Sequence, residues 1–515
     1  MSEIAAQEGF REQFPKNLFA NVAFFIFSIL IGIFLVPYFI NTLGVAAYGL
    51  IPLATSLTAY LTILTDSLNV AVSRFLTVDL HRQDYKKANR TFNTALFGLT
   101  GIIIALIPVV VLFSYYAPTF FNVPAGQEFE VVLLFLGVSA AFLIRSFSSN
   151  FTVSLFANNR LDLINVLNII NIVVQVSLIV VLFTIFSPQL SYIGSAYLVS
   201  SIFFLTGAIV LSRWINPHLH INIREFDRSR LKELTIMGWW AVVDMLGSLL
   251  LYQMDLIVVN LLFGATAAGE YAVIFLWVVL LRGIAGTLSS VISPITLTYY
   301  AKGKIDQIII LAKSAVKGVG LVMALFIGLI CGFAPQILTL WVGPQFAHLA
   351  PLMWVLTFPM VISLCILPLF AINVAFNKVR IPGIITILWG IGYVVLVFTI
   401  PPLLGWGFYG VAVVGAIVLI LRSGLFVPWY ATKVMSIPSN TFTKSLISGV
   451  FATLFVAGIA VIIGKIFTIS SLITLAIFCG IVSTVYLIAL WFIGFNQFER
   501  EVVMSYIPKN PGMIE

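Results

Sequence analysis

Among the ionisable side chains inside apolar stretches of this 515-residue chain, five stand out as the residues most able to do chemistry. Arg145 lies in Phe142-Leu-Ile-Arg145-Ser-Phe-Ser-Ser-Asn150 and Arg282 in Leu280-Leu-Arg282-Gly-Ile-Ala-Gly286; Asp66, Asp244 and Asp255 are the acids. A charge at the middle of a membrane costs at least ~2.5 kcal/mol, so such groups face a bundle interior or a wet cavity. A guanidinium stays charged and can take a phosphate through two parallel hydrogen bonds, which makes Arg145 and Arg282 candidates for holding an anionic substrate. Pairing with Asp66 or Asp244 is the alternative for either arginine. The three aspartates are read as sites of proton or sodium coupling or as structural partners. Asn165, Asn168, Asn171 and Gln175 recur at spacings of three, three and four, which puts four amides on one helix face. They suit sugar contact or hydrogen bonding between helices. No Asp-x-Asp pattern and no acid/base pair stands out, so an enzyme is not expected. His218 and His220 have no further ligands nearby in sequence, and Cys331, Cys365 and Cys479 are far apart, so neither a metal site nor a disulfide framework is indicated.

The elements that carry these residues must be membrane helices. The chain is 61% hydrophobic and 9% charged, where a soluble domain has about 25% charged residues. Apolar runs fall near 18–41, 47–73, 91–115, 129–155, 161–186, 191–212, 235–262, 269–299, 308–333, 350–376, 382–400, 405–430, 443–465 and 470–495. Only helices satisfy their own backbone in hydrocarbon over runs this long and uniform. The fold class is therefore all-α and polytopic, with about 14 transmembrane helices. Phe10, Phe14 and Leu18 recur at helical spacing before the first span, which fits a short interfacial helix or a frayed end.

The net charge of +8 is concentrated in alternate connections. Arg74, Arg82, Lys86, Lys87 and Arg90 follow span 2, Arg160 follows span 4, and Arg213, Arg224, Arg228, Arg230 and Lys232 follow span 6. Lysines and arginines recur after spans 8, 10, 12 and 14, while the intervening loops hold only Lys465. The positive-inside rule then makes both termini and the even-numbered connections cytoplasmic, and the charge surplus gives no reason to expect nucleic acid.

The chain also resembles itself. Gly44-Val-Ala-Ala-Tyr-Gly49 corresponds to Gly264-Ala-Thr-Ala-Ala-Gly269 at an offset of 264 − 44 = 220, and Ser73 to Ser293 at the same offset. Gly101 matches Gly320 and Asn158 matches Asn377 at 219, and Ala117-Pro118 matches Ala334-Pro335 at 217. Six helices separate the copies, so both enter the membrane the same way round, as parallel repeats. The expected plan is an N-terminal segment at 1–17, an N-lobe at 18–212, a cytoplasmic connector at 213–234 and a C-lobe at 235–430. Two extra helices at 443–495 and a tail at 496–515 complete it. Two six-helix lobes around a cavity suit transport by alternating access.

This plan, the turn Asn41-Thr-Leu-Gly44-Val-Ala-Ala-Tyr-Gly49 and the basic stretch Ser73-Arg-Phe-Leu-Thr-Val-Asp-Leu-His-Arg-Gln-Asp-Tyr-Lys-Lys-Ala-Asn89 resemble the Wzx-type O-antigen flippases. Those are polysaccharide transporters of the multidrug/oligosaccharidyl-lipid/polysaccharide superfamily. The resemblance implies a multi-pass protein of a prokaryotic plasma membrane that moves a polyprenyl-pyrophosphate-linked oligosaccharide to the outer leaflet. It also implies membrane lipid, a polysaccharide polymerase and export proteins as partners. Arg145 and Arg282 are the positions that could serve the cationic cavity expected of the family. No cofactor is implied, with a proton or sodium gradient as the candidate driving force. Span 1 lacks the arginines expected of peptidoglycan-precursor flippases, which argues against that cargo. A cation-coupled multidrug antiporter of the same superfamily is the alternative.

Overall fold

A computed structural model describes residues 2–494, except the side chains of 2–12, 14, 66, 67, 70, 236–241, 244 and 493. The side chains of Asp66 and Asp244, those of Phe10 and Phe14, and the tail at 496–515 therefore lie outside the described residues. Among the described residues the regular structure is helical throughout. The first six spans are α1 (Ser2–Leu43), α2 (Val45–His81), α3 (Tyr85–Phe120), α4 (Glu128–Ala157), α5 (Leu161–Ile185) and α6 (Leu190–Ile215). A connector with a short 3-10 turn (Ile223–Glu225) leads to α7 (Arg228–Tyr252), α8 (Met254–Ser290), α9 (Ile292–Ala301) and α10 (Ile305–Gly332). A short helix α11 (Ala334–Trp341) follows, and the tenth span, Pro344–Ala375, is broken into α12 (Ala350–Thr357), α13 (Met360–Cys365) and α14 (Phe370–Ala375). Then come α15 (Arg380–Leu404), α16 (Gly407–Ile420), α17 (Val427–Met435), α18 (Thr443–Ile466) and α19 (Leu472–Ala489).

Among the described residues thirteen stretches are long and apolar enough to cross a membrane. One of them, Met245–Ala301, would be about 85 Å long at ~1.5 Å per residue, and it turns at Gly264, where φ is 91°. It is long enough for two passages, which gives fourteen candidate crossings among the described residues, at the positions expected from hydropathy. α1 runs unbroken from Ser2 into the membrane, with no separate interfacial helix. Proline acts differently from place to place: Pro37, Pro52 and Pro108 lie inside continuous helices, whereas Pro359 and Pro368 stand at the breaks of the tenth span.

Backbone geometry records the repeat. Gly44 and Gly264 both start the following helix from left-handed φ, 85° and 91°. Gln83 and Gly303, again 220 apart (303 − 83), both turn at positive φ, and the same backbone bond closes each turn: Asp84 N–H to Asp79 O and Lys304 N–H to Tyr299 O. After the fourth and tenth spans the equivalent left-handed residues are Asn159 (φ 57°) and Asn377 (φ 53°). The structural partner of Asn377 is thus Asn159, one residue beyond Asn158. Ala117-Pro118 and Ala334-Pro335 differ, because Pro118 continues α3 while Pro335 opens α11.

Two compact units divide the chain at 273/274, 379/380 and 414/415. The first contains α1–α7, the start of α8, α15 and the start of α16; the second contains the rest. Inside the first, α4 and α6 approach so closely that a Cβ on Gly137 would lie 2.5 Å from the Gly194 backbone. Inside the second, Gly320, Gly328 and Gly332 of α10 meet Gly449, Val456 and Ala460 of α18 along one seam. Membrane helices pack through such small-residue contacts because lipid supplies no hydrophobic force between them. A Cβ on Gly332 would fall 2.3 Å from that of Ala460. Gly332→Ala is therefore expected to destabilise by about 1–3 kcal/mol, seen as a lower melting temperature of the purified protein in detergent. An unchanged melt would show that the seam yields freely.

Candidate substrate site

Arg145 projects from α4 into a niche built by α5 and α6. Its Nη2 donates to Asn168 Oδ1 at 3.0 Å, and its guanidinium lies 3.6 Å from the centroid of the Phe204 ring. The other terminal nitrogen, Nη1, is buried without a hydrogen-bond partner among the described residues. A buried donor left open costs about 1–3 kcal/mol, more when charged, so this atom is set to take an acceptor. One turn along α5 from Asn168, Asn171 Oδ1 is likewise buried and open. The niche thus holds a fixed positive charge stacked on an aromatic face, with one donor and one amide oxygen unused.

The rest of the α5 stripe has partners. Asn165, 6% exposed, donates to Asn21 Oδ1 of α1 at 2.6 Å, and Gln175 hydrogen-bonds Tyr197 of α6. The stripe therefore serves both readings: Asn165 and Gln175 join helices, while Asn168 and Asn171 face Arg145 or remain open. Sequence reasoning missed the complementary ladder on α1. Gln13, Asn17 and Asn21, four residues apart, meet Asp162, Asn159 and Asn165; their i, i+4, i+8 spacing carried the signal.

Arg282 lies on the part of α8 in the second unit, half-buried and engaged by its surroundings. The structure does not bring it together with Arg145 inside one unit. The second unit adds Arg422, 5% exposed on a π-helical stretch, Leu421–Phe426, between α16 and α17. Single π turns of this kind are frequent at functional sites. An arginine inside the 405–430 run was visible in the sequence but was not singled out there.

Asp255 is 8% exposed and is clamped by phenols: Tyr271 Oη donates to Oδ2 at 2.7 Å, and Tyr393 Oη donates to Oδ1. α8 and α15 supply these hydroxyls beside the α7/α8 break at Gln253. Two phenol hydroxyls donate to this carboxylate, whose remaining lone pairs can meet a hard cation. Neither tyrosine had a distinguishing sequence pattern.

At the Gly44 end of the first unit, Asn122 and Asn260 grip each other. Asn122 Nδ2 donates to Asn260 O at 2.6 Å, Asn260 Nδ2 donates to Asn122 O at 3.1 Å, and Asn122 N–H donates to Asn260 Oδ1 at 2.9 Å. Beside this clamp the two repeat copies cross glycine on glycine: a Cβ on Gly49 would lie 2.5 Å from Gly269 N. The end of the unit that holds Gly44 and Gly264 is shut by these contacts.

At the opposite, basic end the connector expected as a loop is fastened to α3. Asn89, Asn93 and Thr94 accept the backbone N–H groups of His220, Asn222 and Asp227 at 2.9, 2.8 and 3.1 Å. Arg230 of α7 pairs with the buried Asp79 of α2 at 3.0 Å. Two hydrogen bonds from Thr91 Oγ1 to Asp79 and from Arg230 Nε to Thr91 complete the knot. Of the two histidines, His218 packs on Tyr85 and His220 reaches Asn89 and Glu225.

Comparison with known proteins agrees with this architecture. Residues 14–300 match the family described as polysaccharide biosynthesis protein. The chain is 30% identical over 502 residues to the uncharacterized membrane protein EpsK of Bacillus subtilis (strain 168), covering 98% of this chain and 99% of that one. Its fold is similar to the lipid II flippase MurJ in an inward closed conformation, with a TM-score of 0.65 at 17% identity over 94% of this chain and 100% of that one. It is also similar to an inward-facing multidrug resistance MATE transporter of the MOP superfamily, with a TM-score of 0.54 at 15% identity over 80% of this chain and 95% of the other. The matched half of the chain, the near full-length relative and the fourteen-span repeat fold together place this multi-pass membrane protein in the polysaccharide biosynthesis protein family, with the fold of the MOP-superfamily transporters.

Proposed function

We propose that the protein is a flippase that carries a polyprenyl-pyrophosphate-linked oligosaccharide from the cytoplasmic to the outer leaflet of a prokaryotic plasma membrane by alternating access. The observation that carries this reading is the Arg145 niche, a charged and incompletely bonded guanidinium inside a membrane protein of a polysaccharide biosynthesis family. A pyrophosphate presents the acceptors that Nη1 lacks, and Asn171 is placed for a sugar hydroxyl or a bridging water. Arg282 is proposed as the anion contact of the second unit. With the basic connections cytoplasmic, the Asn122 and Gly49 contacts close the outer side, so cargo would enter from the cytoplasm. The lobe plan at 18–212 and 235–430 then moves about those contacts, and a polysaccharide polymerase and export proteins would receive the product. Loss of the gene is expected to trap lipid-linked oligosaccharide inside and to deplete surface polysaccharide, both readable by mass spectrometry of lipid extracts and by surface-polymer assay. If neither changes, the reading fails.

Asp255 supports a driving force and, through it, the second reading of a cation-coupled multidrug antiporter. A carboxylate fixed by Tyr271 and Tyr393 can bind a sodium ion through its remaining lone pairs, or a proton once a phenol withdraws, as the lobes move. Asp255→Asn is expected to abolish the dependence of transport on a proton or sodium gradient in proteoliposomes. Cargo flipping that keeps the full dependence would remove Asp255 from coupling. Lowered resistance to cationic dyes on gene deletion, with normal surface polysaccharide, would favour the antiporter.

A further inference from the structure

We propose that the first unit carries a resident-lipid site, built for the phosphate of an anionic phospholipid of the cytoplasmic leaflet, at the basic end of α3, α4 and α6. A cleft of about 340 Å³ opens there, with Phe92, Phe151, Ser212, Arg213, Leu219 and His220 among its lining residues. Its floor is apolar and rigid: Phe92 and Phe151 meet edge to face at 5.8 Å, and both are buried. Its exposed wall is cationic through Arg213.

Three independent features fit a lipid headgroup. The first is depth. At ~1.5 Å per residue Arg213 lies about 35 Å from the far end of α6, just past a ~30 Å hydrocarbon core, which is the level of the phosphates. The second is the company Arg213 keeps. Trp214 is 69% exposed, and Ile221 and Ile223 are exposed on the connector beside Arg224. Tryptophan at headgroup level and aliphatic side chains next to arginine are the composition of a membrane interface, with glycerol and acyl carbons against the former and phosphate on the latter. The third is rigidity. The connector is pinned by the Asn89, Asn93 and Thr94 bonds, so the cleft persists without a ligand.

Charge decides the headgroup. His220 is held by Asn89, Glu225 and the His218 carbonyl, which leaves Arg213 as the phosphate donor of the cleft. Glu225 and Asp227 are occupied by His220 and Arg90. A zwitterionic lipid would bring its ammonium against this basic rim, whereas a lipid with a net negative headgroup meets complementary charge.

The proposal rests on the orientation given above but not on cargo transport, and its test reads lipid binding alone. The full-length protein, purified in mild detergent, would be titrated with phosphatidylglycerol, phosphatidylcholine and undecaprenyl pyrophosphate and read by native mass spectrometry. One phosphatidylglycerol is expected to remain bound at about five-fold lower concentration than phosphatidylcholine. Arg213→Glu is expected to erase that preference, Arg213→Lys to keep most of it, and Lys313→Glu, an exposed charge of the other unit, to leave it unchanged. Equal losses in Arg213→Glu and Lys313→Glu would reduce the effect to overall surface charge and overturn the site. Stronger retention of undecaprenyl pyrophosphate through Arg213 would make the cleft a cargo site and overturn the resident-lipid assignment.

Discussion

Gly269→Ala is expected to cut transport by at least about ten-fold and to open the outer side of the protein. The new Cβ would lie 2.0 Å from Val45 O and 2.7 Å from Val45 C. Both are backbone atoms, so no rotamer change can relieve the overlap, and α2 and α8 must separate where they cross. Overpacking of this kind costs about 1–3 kcal/mol, and here it weighs only on the outward-closed state. A bias of ~2 kcal/mol changes a two-state population by roughly thirty-fold. The accompanying readout is Ala47→Cys, on α2 beside the crossing and 1% exposed here, whose labelling by a membrane-impermeant maleimide should rise when Gly269→Ala is added. Cys331 and Cys365 are buried, and replacing all three native cysteines gives a clean background. Gly286→Ala, with nothing within 4 Å of its Cβ, is the control and should behave as wild type. Normal transport and unchanged labelling in Gly269→Ala would show that the glycine crossing does not govern the outer side.

Arg145→Met is expected to be as severe for cargo and milder for the fold. Methionine keeps much of the packing against Phe204 but removes the charge and both terminal nitrogens. Hydrogen bonds to charged groups contribute about 1.5–3 kcal/mol each, so losing the one open donor, Nη1, from a pyrophosphate predicts a drop of about ten- to a hundred-fold in translocation. Arg145→Lys keeps the charge and loses the planar fork, and it should recover only a small part. The folding cost is the lost charge over the Phe204 ring and Asn168 Oδ1 left without its donor, which a melting curve would register as a modest shift. Rescue to wild-type rates by lysine would mean that a point charge suffices and that the open guanidinium donor, Nη1, is not what holds the phosphate.

Both predictions draw on features that were unequally legible in the sequence. The spans were plain because a backbone in hydrocarbon has no choice but helix, and the repeat was traceable because glycine at positions 44 and 264 answers a left-handed turn that other residues resist. Where other residues can adopt the same turn, as at Asn159 and Asn377, side-chain identity misled the alignment by one position. Arg145 was legible as an isolated intramembrane charge, but its setting against Phe204 was not, since an aromatic in a span carries no mark of what it faces. The same holds for Tyr271 and Tyr393 around Asp255, which are brought together from positions over a hundred residues apart. Asn122 and Asn260 were separately unremarkable; their clamp exists only once the end of α3 and the start of α8 are folded side by side. Periodicity reveals faces, and partners across faces need the fold.

The central claim is that this chain moves a lipid-linked oligosaccharide. Its most direct measurement is the polyprenyl-linked oligosaccharide content of lipid extracts, by mass spectrometry, from cells lacking the gene and complemented with wild type or with the Arg145→Ala/Arg282→Ala double variant. Surface polysaccharide is measured in parallel. The account predicts accumulation of the lipid-linked sugar and loss of surface polymer in the deletion and in the double variant, both reversed by wild type. Full restoration of surface polymer by the double variant would contradict the arginine site, and no accumulation in the deletion would contradict the flippase itself.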